Sequence, residues 1–124
     1  MQTKYAKAYQ RLVDVARSNH ITMVLASFSM AVNSRSETPV VEFYRRGFPS
    51  VYAQIAANEI HSRLVREIAE TNHVRFVDTQ PGLDGQHESF IDLIHLTQEG
   101  RQRMAETMFS GISDLVKAAA APPK

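Results

Sequence analysis

Two nine-residue stretches, ARSNHITMV at 16–24 and AETNHVRFV at 69–77, share one frame: alanine, two variable residues, Asn-His, a β-branched residue and an apolar residue before valine. Each reads as the end of a helix, an asparagine stop and the entry to a strand. Asparagine fits such a stop because it tolerates the left-handed conformation that ends many helices. The same helix-to-strand connection is therefore used twice, without a tandem repeat of 20 to 50 residues. That reading decides the fold class, because a chain alternating helix and strand builds an α/β layer whose parallel strands are joined by a right-handed crossover.

Working outward, residues 3–19 carry Tyr5, Tyr9, Leu12, Val13 and Ala16 at spacings of three and four, the pattern of an amphipathic helix. ITMVLASF (21–28) is a short apolar run rich in β-branched residues, as in a buried strand. Ser29 to Pro49 reads as a long polar loop with room for one helical turn, and loops of that length are usually functional or disordered. A second helix fits 50–71, capped by Ser50 and lined by Ile55, Ile60, Leu64, Val65 and Ile68. VRFVD (74–78) is the second strand, and TQPGLDGQHES (79–89) is turn-rich. The last helix starts near Thr97, whose hydroxyl can cap it, with Met104, Met108, Ile112, Leu115 and Val116 on one face. The two methionines read as core filler, and Gly100 as a point of close helix approach. The expected order is helix, strand, helix, strand, helix: one domain over 1–119 and a tail at 120–124.

Composition bounds the function. The chain has 124 residues, 44% apolar and 22% charged, with a formal net charge of +1, which suits one soluble domain. A nucleic-acid binder would more often carry a basic stripe; here Arg45-Arg46 is the one dense basic pair, and no nucleic-acid partner is expected. There is no cysteine, so disulfides and thiolate metal sites are excluded. No apolar run is long enough to span a bilayer, and MQTKYAKAYQ has no signal core behind it. Those features favour a cytoplasmic location.

The chemistry concentrates in FIDLIHLTQEG (90–100). Asp92 and His95 stand three residues apart among apolar neighbours, where burying either alone would cost free energy. In open parallel sheets, sites form beyond the carboxyl ends of the strands, and the loops 29–49 and 79–94 leave such ends. A histidine can take a proton from a hydroxyl and return it to a leaving group. A carboxylate beside it fixes the tautomer and stabilises the charged form. The same spacing also suits a helix cap with a satisfied, half-buried histidine. His87, Asp92 and His95 together could suggest a two-histidine, one-carboxylate metal site, but their spacing matches no metal motif and no metal is expected. His20 and His73 fall near helix C-termini, where a cation is favoured. Tyr44, Arg45 and Arg46 lie in the loop that would overhang the site, able to meet an acidic group or to form a solvated face.

The block DLIHLTQEGRQRMAE (92–106) resembles the last sequence block of the SGNH hydrolases, the GDSL-type esterases and lipases: Asp-x-x-His, a short link, a glycine and the closing helix. The preceding NEIHSRLVREIAETNHVRFVDTQPGL is similar to that family's penultimate helix and strand, and the first helix with ITMVLASFS to the unit upstream. The likeness is densest over 58–106. It implies a flavodoxin-like three-layer α/β/α sandwich, ester hydrolysis through an acyl-serine, His95 as base, Asp92 as its supporting carboxylate, and no cofactor. The departure is as informative. The family's Gly-Asp-Ser nucleophile block and Gly-x-Asn-Asp oxyanion segment are absent; Asn19, Asn33, Asn58 and Asn72 are the asparagines, and none follows a glycine by two. The chain is thus similar to the C-terminal half of the fold, and the expectation is an ester hydrolase inactive until another segment or chain supplies the serine. A catalytically silent α/β interaction module, or a truncated gene product, is the alternative. Ser27 and Ser29, at the end of the first strand, could replace the serine only if they reach His95, and SFSMAVN lacks the tight glycine turn that exposes a nucleophile. A half-sheet would leave the 21–28 strand with an open edge, predicting self-association or a partner chain there.

Overall fold

The computed structural model describes residues 3–122. In chain order it contains α1 (Lys4–Ser18), β1 (Val24–Ala26), α2 (Thr38–Arg45), α3 (Val51–Asn72), β2 (Arg75–Val77), a 3-10 turn (His87–Ser89) and α4 (Gln98–Ala120). The strands pair in parallel, Val24 with Arg75, Leu25 with Phe76 and Ala26 with Val77. The protein is mixed α/β, with four helices on a two-stranded sheet. Among the described residues no helix is long and apolar enough to cross a membrane. The expected tail shrinks at its start, since α4 runs to Ala120; residues 123 and 124 lie outside the described residues, as do residues 1 and 2.

The repeated frame has a single physical cause. At the first junction the amide of Ile21 donates to Ala16 O at 2.9 Å and that of His20 to Arg17 O at 3.2 Å. At the second, Val74 donates to Ala69 O at 2.9 Å and His73 to Glu70 O at 3.3 Å. Each pair is the double bond of a Schellman ending, which satisfies orphan carbonyls of the last turn. The left-handed residue is the histidine, not the expected asparagine: His20 and His73 both have φ 55°. The asparagines remain helix-side, and each side chain donates to the carbonyl four residues back. Asn72 exchanges two 2.9 Å bonds with Gln10, tying α3 to α1. The alanines are small because the helix ends there press into the interior, with Ala69 fully buried.

Strand alternation assigns the layers. Leu25 and Phe76 share a face and pack with Val13, Leu64, Val65, Ile68 and Ala69 of α1 and α3. Val77 points the other way, where a Cβ on Gly111 of α4 would lie 2.6 Å from its Cγ2. Helices therefore cover both faces. Arg75, on the α4 side, holds Asp114 through two bonds of 2.8 and 2.7 Å and also reaches Gly111 O.

Four expectations are corrected. The first strand spans three residues, not 21–28, because its ladder is as short as its partner; Ile21 is largely exposed. The stretch 29–49 is not a polar loop. Met30, Ala31 and Val32 are buried, and α2 occupies eight residues with Pro39 in its first turn and Val41 in the core. The irregular segment 29–33 tolerates burial because its backbone is bonded: Met30 N–H to Asp84 at 2.8 Å, Ala31 N–H to Leu93 O at 2.9 Å, and Met30 O to the Gly85 amide at 2.8 Å. On α3, Ile60 is exposed, while Ile55, Leu64, Val65 and Ile68 are buried. Thr97 does cap α4, accepting from Gly100 N–H at 3.0 Å, whereas the Ser50 side chain makes no capping bond. Gly100 is required by close approach: a Cβ there would stand 2.2 Å from Ser89 O.

Candidate functional site

Asp92 and His95 lie on a small closed loop beyond the carboxyl ends of the strands. Phe90 and Leu96 form an antiparallel bridge across its base, and the Ile91 amide donates to His95 O at 2.7 Å. The Ala31–Leu93 bond fastens this loop to the segment following β1. The apolar residues around the pair divide: Phe90 and Leu93 turn into the core, and Ile91 and Ile94 turn out. The pair itself is not buried as its apolar neighbours suggest. The His95 side chain is 71% exposed and that of Asp92 40%.

The pair is held together. Asp92 Oδ1 accepts from the amides of His95 at 2.8 Å and Ile94 at 2.9 Å, while Oδ2 stands 2.7 Å from His95 Nδ1. The His95 amide, then the Ile94 amide, then the imidazole bring the Asp92 carboxyl down to about 2. Near neutral pH it is an anion and can only accept. A proton shared between the two side chains therefore sits on Nδ1, and Nε2 has no hydrogen-bond partner among the described residues. Backbone bonds fix the carboxylate, and the carboxylate fixes the imidazole.

No serine reaches this base among the described hydrogen bonds. Ser27, 7% exposed, donates to Asp78 Oδ1 at 2.8 Å and accepts from Thr79 N–H at 2.8 Å. Ser29 donates to Thr79 O at 3.0 Å. Both hydroxyls sew the end of β1 to the end of β2. Burial works against ionisation of Asp78, but the Ser27 hydroxyl, the Gln80 amide and Arg66 outweigh it and hold that carboxyl below the usual range.

His87 lies 3.6 Å from Glu88, and no group of three or more His, Asp or Glu side chains able to hold a metal occurs among the described residues. Arg45 is committed to Glu42 at 2.7 Å, which also accepts from Tyr52 OH at 2.9 Å. Tyr44 comes closest to the expected overhang. It packs on the core that includes Phe90 and Leu93, and burial, followed by the charges of Asp92 and Glu88, raises its phenol.

Sequence reasoning passes over two features. Asp84 and Asn33 lock the two long loops together, with Asn33 Nδ2 on Asp84 Oδ2 at 2.9 Å and Gly85, at φ 78°, pressed against the Asn33 side chain. The Asp-Gly pair in a turn-rich loop is its one sequence signal. An apolar groove of about 710 Å³ runs beside Ile94, lined by Tyr5, Phe28, Met30, Ile60 and Leu64. It is assembled from four separate segments, so no local pattern announces it.

No protein-family model matches the chain, and no curated protein matches it.

Proposed function

We propose that this chain supplies the base and its supporting carboxylate to an SGNH-type ester hydrolase, as the C-terminal portion of a flavodoxin-like sandwich. The observation that carries the reading is the Asp92–His95 couple: an anionic carboxylate anchored by two amides, 2.7 Å from Nδ1, leaving Nε2 open beyond the carboxyl end of a parallel sheet. In the proposed reaction Nε2 takes the proton of a serine hydroxyl as its oxygen attacks the ester carbonyl. The imidazolium, steadied by Asp92, returns that proton to the departing alcohol. A water then attacks the acyl-serine by the same route. No metal or cofactor takes part.

The serine and oxyanion donors belong to a segment or chain outside these residues, and the outer edge of β1 is where the reading places it. Ser27 N–H donates to Val77 O, so by strand alternation Val24 and Ala26 direct their amides to the opposite edge, where no strand pairs among the described residues. An open edge is a template for another strand, and the apolar groove adjoins it at Phe28.

The test is labelling by a fluorophosphonate probe with hydrolysis of short p-nitrophenyl esters. The 124 residues alone should show neither. The longest natural product of the reading frame, or the purified complex with its partner, should label at one serine and lose labelling and turnover in His95→Ala. If that product and complex carry no Gly-Asp-Ser block and do not label, the hydrolase reading falls and the silent α/β module stands.

A further inference from the structure

On the far side of Ser27 from its strand lies a polar cleft of about 370 Å³, between α3 and the loops that follow β1 and β2. Three arginines line it: Arg35 from the first loop, and Arg63 and Arg66 from α3. Arg66 is held in place, ion-paired with Asp78 and stacked 4.6 Å above the Phe76 ring. Arg35 and Arg63 make no side-chain hydrogen bond or ion pair among the described residues. The carboxylates at the cleft are spent on backbone and amide donors instead. Asp84 takes the Met30 amide and Asn33, and Glu59 takes the Ser34 amide at 3.3 Å.

A fourth donor sits at the base. Ser62 is 6% exposed and lines the cleft. Its oxygen accepts from Phe28 N–H at 3.4 Å and from Gln80 Nε2 at 3.2 Å. Gln80 is oriented by a second bond from the same nitrogen to Phe28 O at 2.9 Å. The Ser62 oxygen is thus an acceptor twice over, and its own proton has no acceptor among the described residues. A buried hydroxyl with a proton to give, in a cleft also lined by two guanidiniums without a partner among the described residues, calls for an acceptor group of negative charge.

We propose that this cleft binds a tetrahedral dianion, the phosphate group of a small molecule, independently of His95. Guanidinium forks match the oxygens of such groups, and a group carrying close to two charges is favoured over a singly charged carboxylate where two uncommitted cations line one cleft. The position at the carboxyl ends of parallel strands is where open α/β sheets take ligands. The polar lining suits a hydrophilic group, not the apolar body most pockets enclose.

The experiment is a titration of the full chain with inorganic phosphate, sulfate and acetate at fixed ionic strength, followed by calorimetry and by the arginine Nε resonances. Phosphate or sulfate should bind saturably and shift Arg35, Arg63 and Arg66 together, with acetate at least tenfold weaker. Arg63→Gln and Arg35→Gln, both surface changes, should each weaken binding about tenfold. Glu59→Gln should tighten it, and Arg46→Gln should leave it unchanged. Acetate binding as well as phosphate, unsaturable shifts spread over all arginines, or equal affinity in Arg63→Gln would each overturn the proposal.

Discussion

The two long helices of this protein are nearly equal in length and opposite in engagement. Over 22 residues, α3 buries Val51, Ile55, Ser62, Leu64, Val65, Ile68 and Ala69. Over 23 residues, α4 buries Gly100 alone, and Phe109 and Val116 stand at least half exposed. The difference follows from what each helix meets. α3 lies across both strands and also against α1 and α2, so its apolar residues find partners around much of its surface. α4 rests on β2 and, at its first turn, on the 3-10 turn. Its hold comes from the close approach of Gly111 to Val77, the Arg75–Asp114 pair, and the cap and glycine at its first turn. An amphipathic sequence is thus necessary for a buried helix face but not sufficient, since the neighbour must exist.

The largest effect should come from emptying one site on α3. Leu64 is 7% exposed, within the cluster of Val13, Leu25, Val65 and Ile68. Leu64→Ala removes three buried carbons and leaves a cavity, and should destabilise the chain by about 2–4 kcal/mol, read as a lower urea midpoint with an unchanged slope. A loss under about 1 kcal/mol would mean that α3 is packed no better than α4.

Next in size is the tightest approach that α4 makes. Gly100→Ala puts a methyl 2.2 Å from the Ser89 carbonyl oxygen, a backbone atom that cannot turn away. Against the gain in helix propensity, overpacking should prevail, with a net loss of about 1–3 kcal/mol. The same loop carries Asp92 and His95, so their spectroscopic signature should move too. A shift of the His95 ring signals with no change in stability would show that the loop moves aside freely.

How much was legible in the sequence follows the same line. Both helix-to-strand junctions, the parallel α/β order and the Thr97 cap depend on residues near one another along the chain, and all can be read from ARSNHITMV, AETNHVRFV and LTQEG. α2 was legible too, in Thr-Pro followed by Val40, Val41 and Tyr44 at helical spacing, but the polar residues around it hide that pattern. What could not be read depends on long-range pairing. The burial of Met30 to Val32 rests on Asp84, Gly85 and Leu93, more than fifty residues away. The outward turn of Asp92 and His95 is set by which of their neighbours the core takes, and FIDLIHL offers equal apolar residues for either face. The choice of histidine as the left-handed residue, in place of asparagine, is a one-residue difference in where the Schellman bonds close.

Acid sharpens the contrast without a mutation. Asp114 is held down to about 2 by its bonds to Arg75. Its unfolded value is near 3.9, so the folded carboxyl is depressed. The stabilisation it brings is fully present above about pH 4 and is lost as pH falls through the folded value near 2. That pair links α4 to β2, and α3 has no ion pair to β2 beyond Arg66–Asp78 at its end. Amide exchange in α4 should therefore accelerate relative to α3 between pH 4 and pH 2, and Asp114→Asn should show the faster exchange already at neutral pH. Parallel acceleration of both helices would mean that the sheet, not the Asp114 link, gives way first.

The smallest expected effect lies on the open face of α4. Phe109 is 61% exposed. Replacing a large apolar residue in a core costs several kcal/mol, but this ring already lies mostly in water and gives up little area on truncation. Phe109→Ser should change stability by no more than about 0.5 kcal/mol, with serine's lower helix propensity offsetting part of the benefit of removing exposed apolar surface. The informative readout is association. If the face of α4 and the outer edge of β1 are where another chain or a second copy docks, sedimentation across a concentration series should show Phe109→Ser more monomeric than the parent at equal stability. A loss above about 1.5 kcal/mol in the monomer would show instead that Phe109 is packed within the chain, and the contrast between α3 and α4 would disappear.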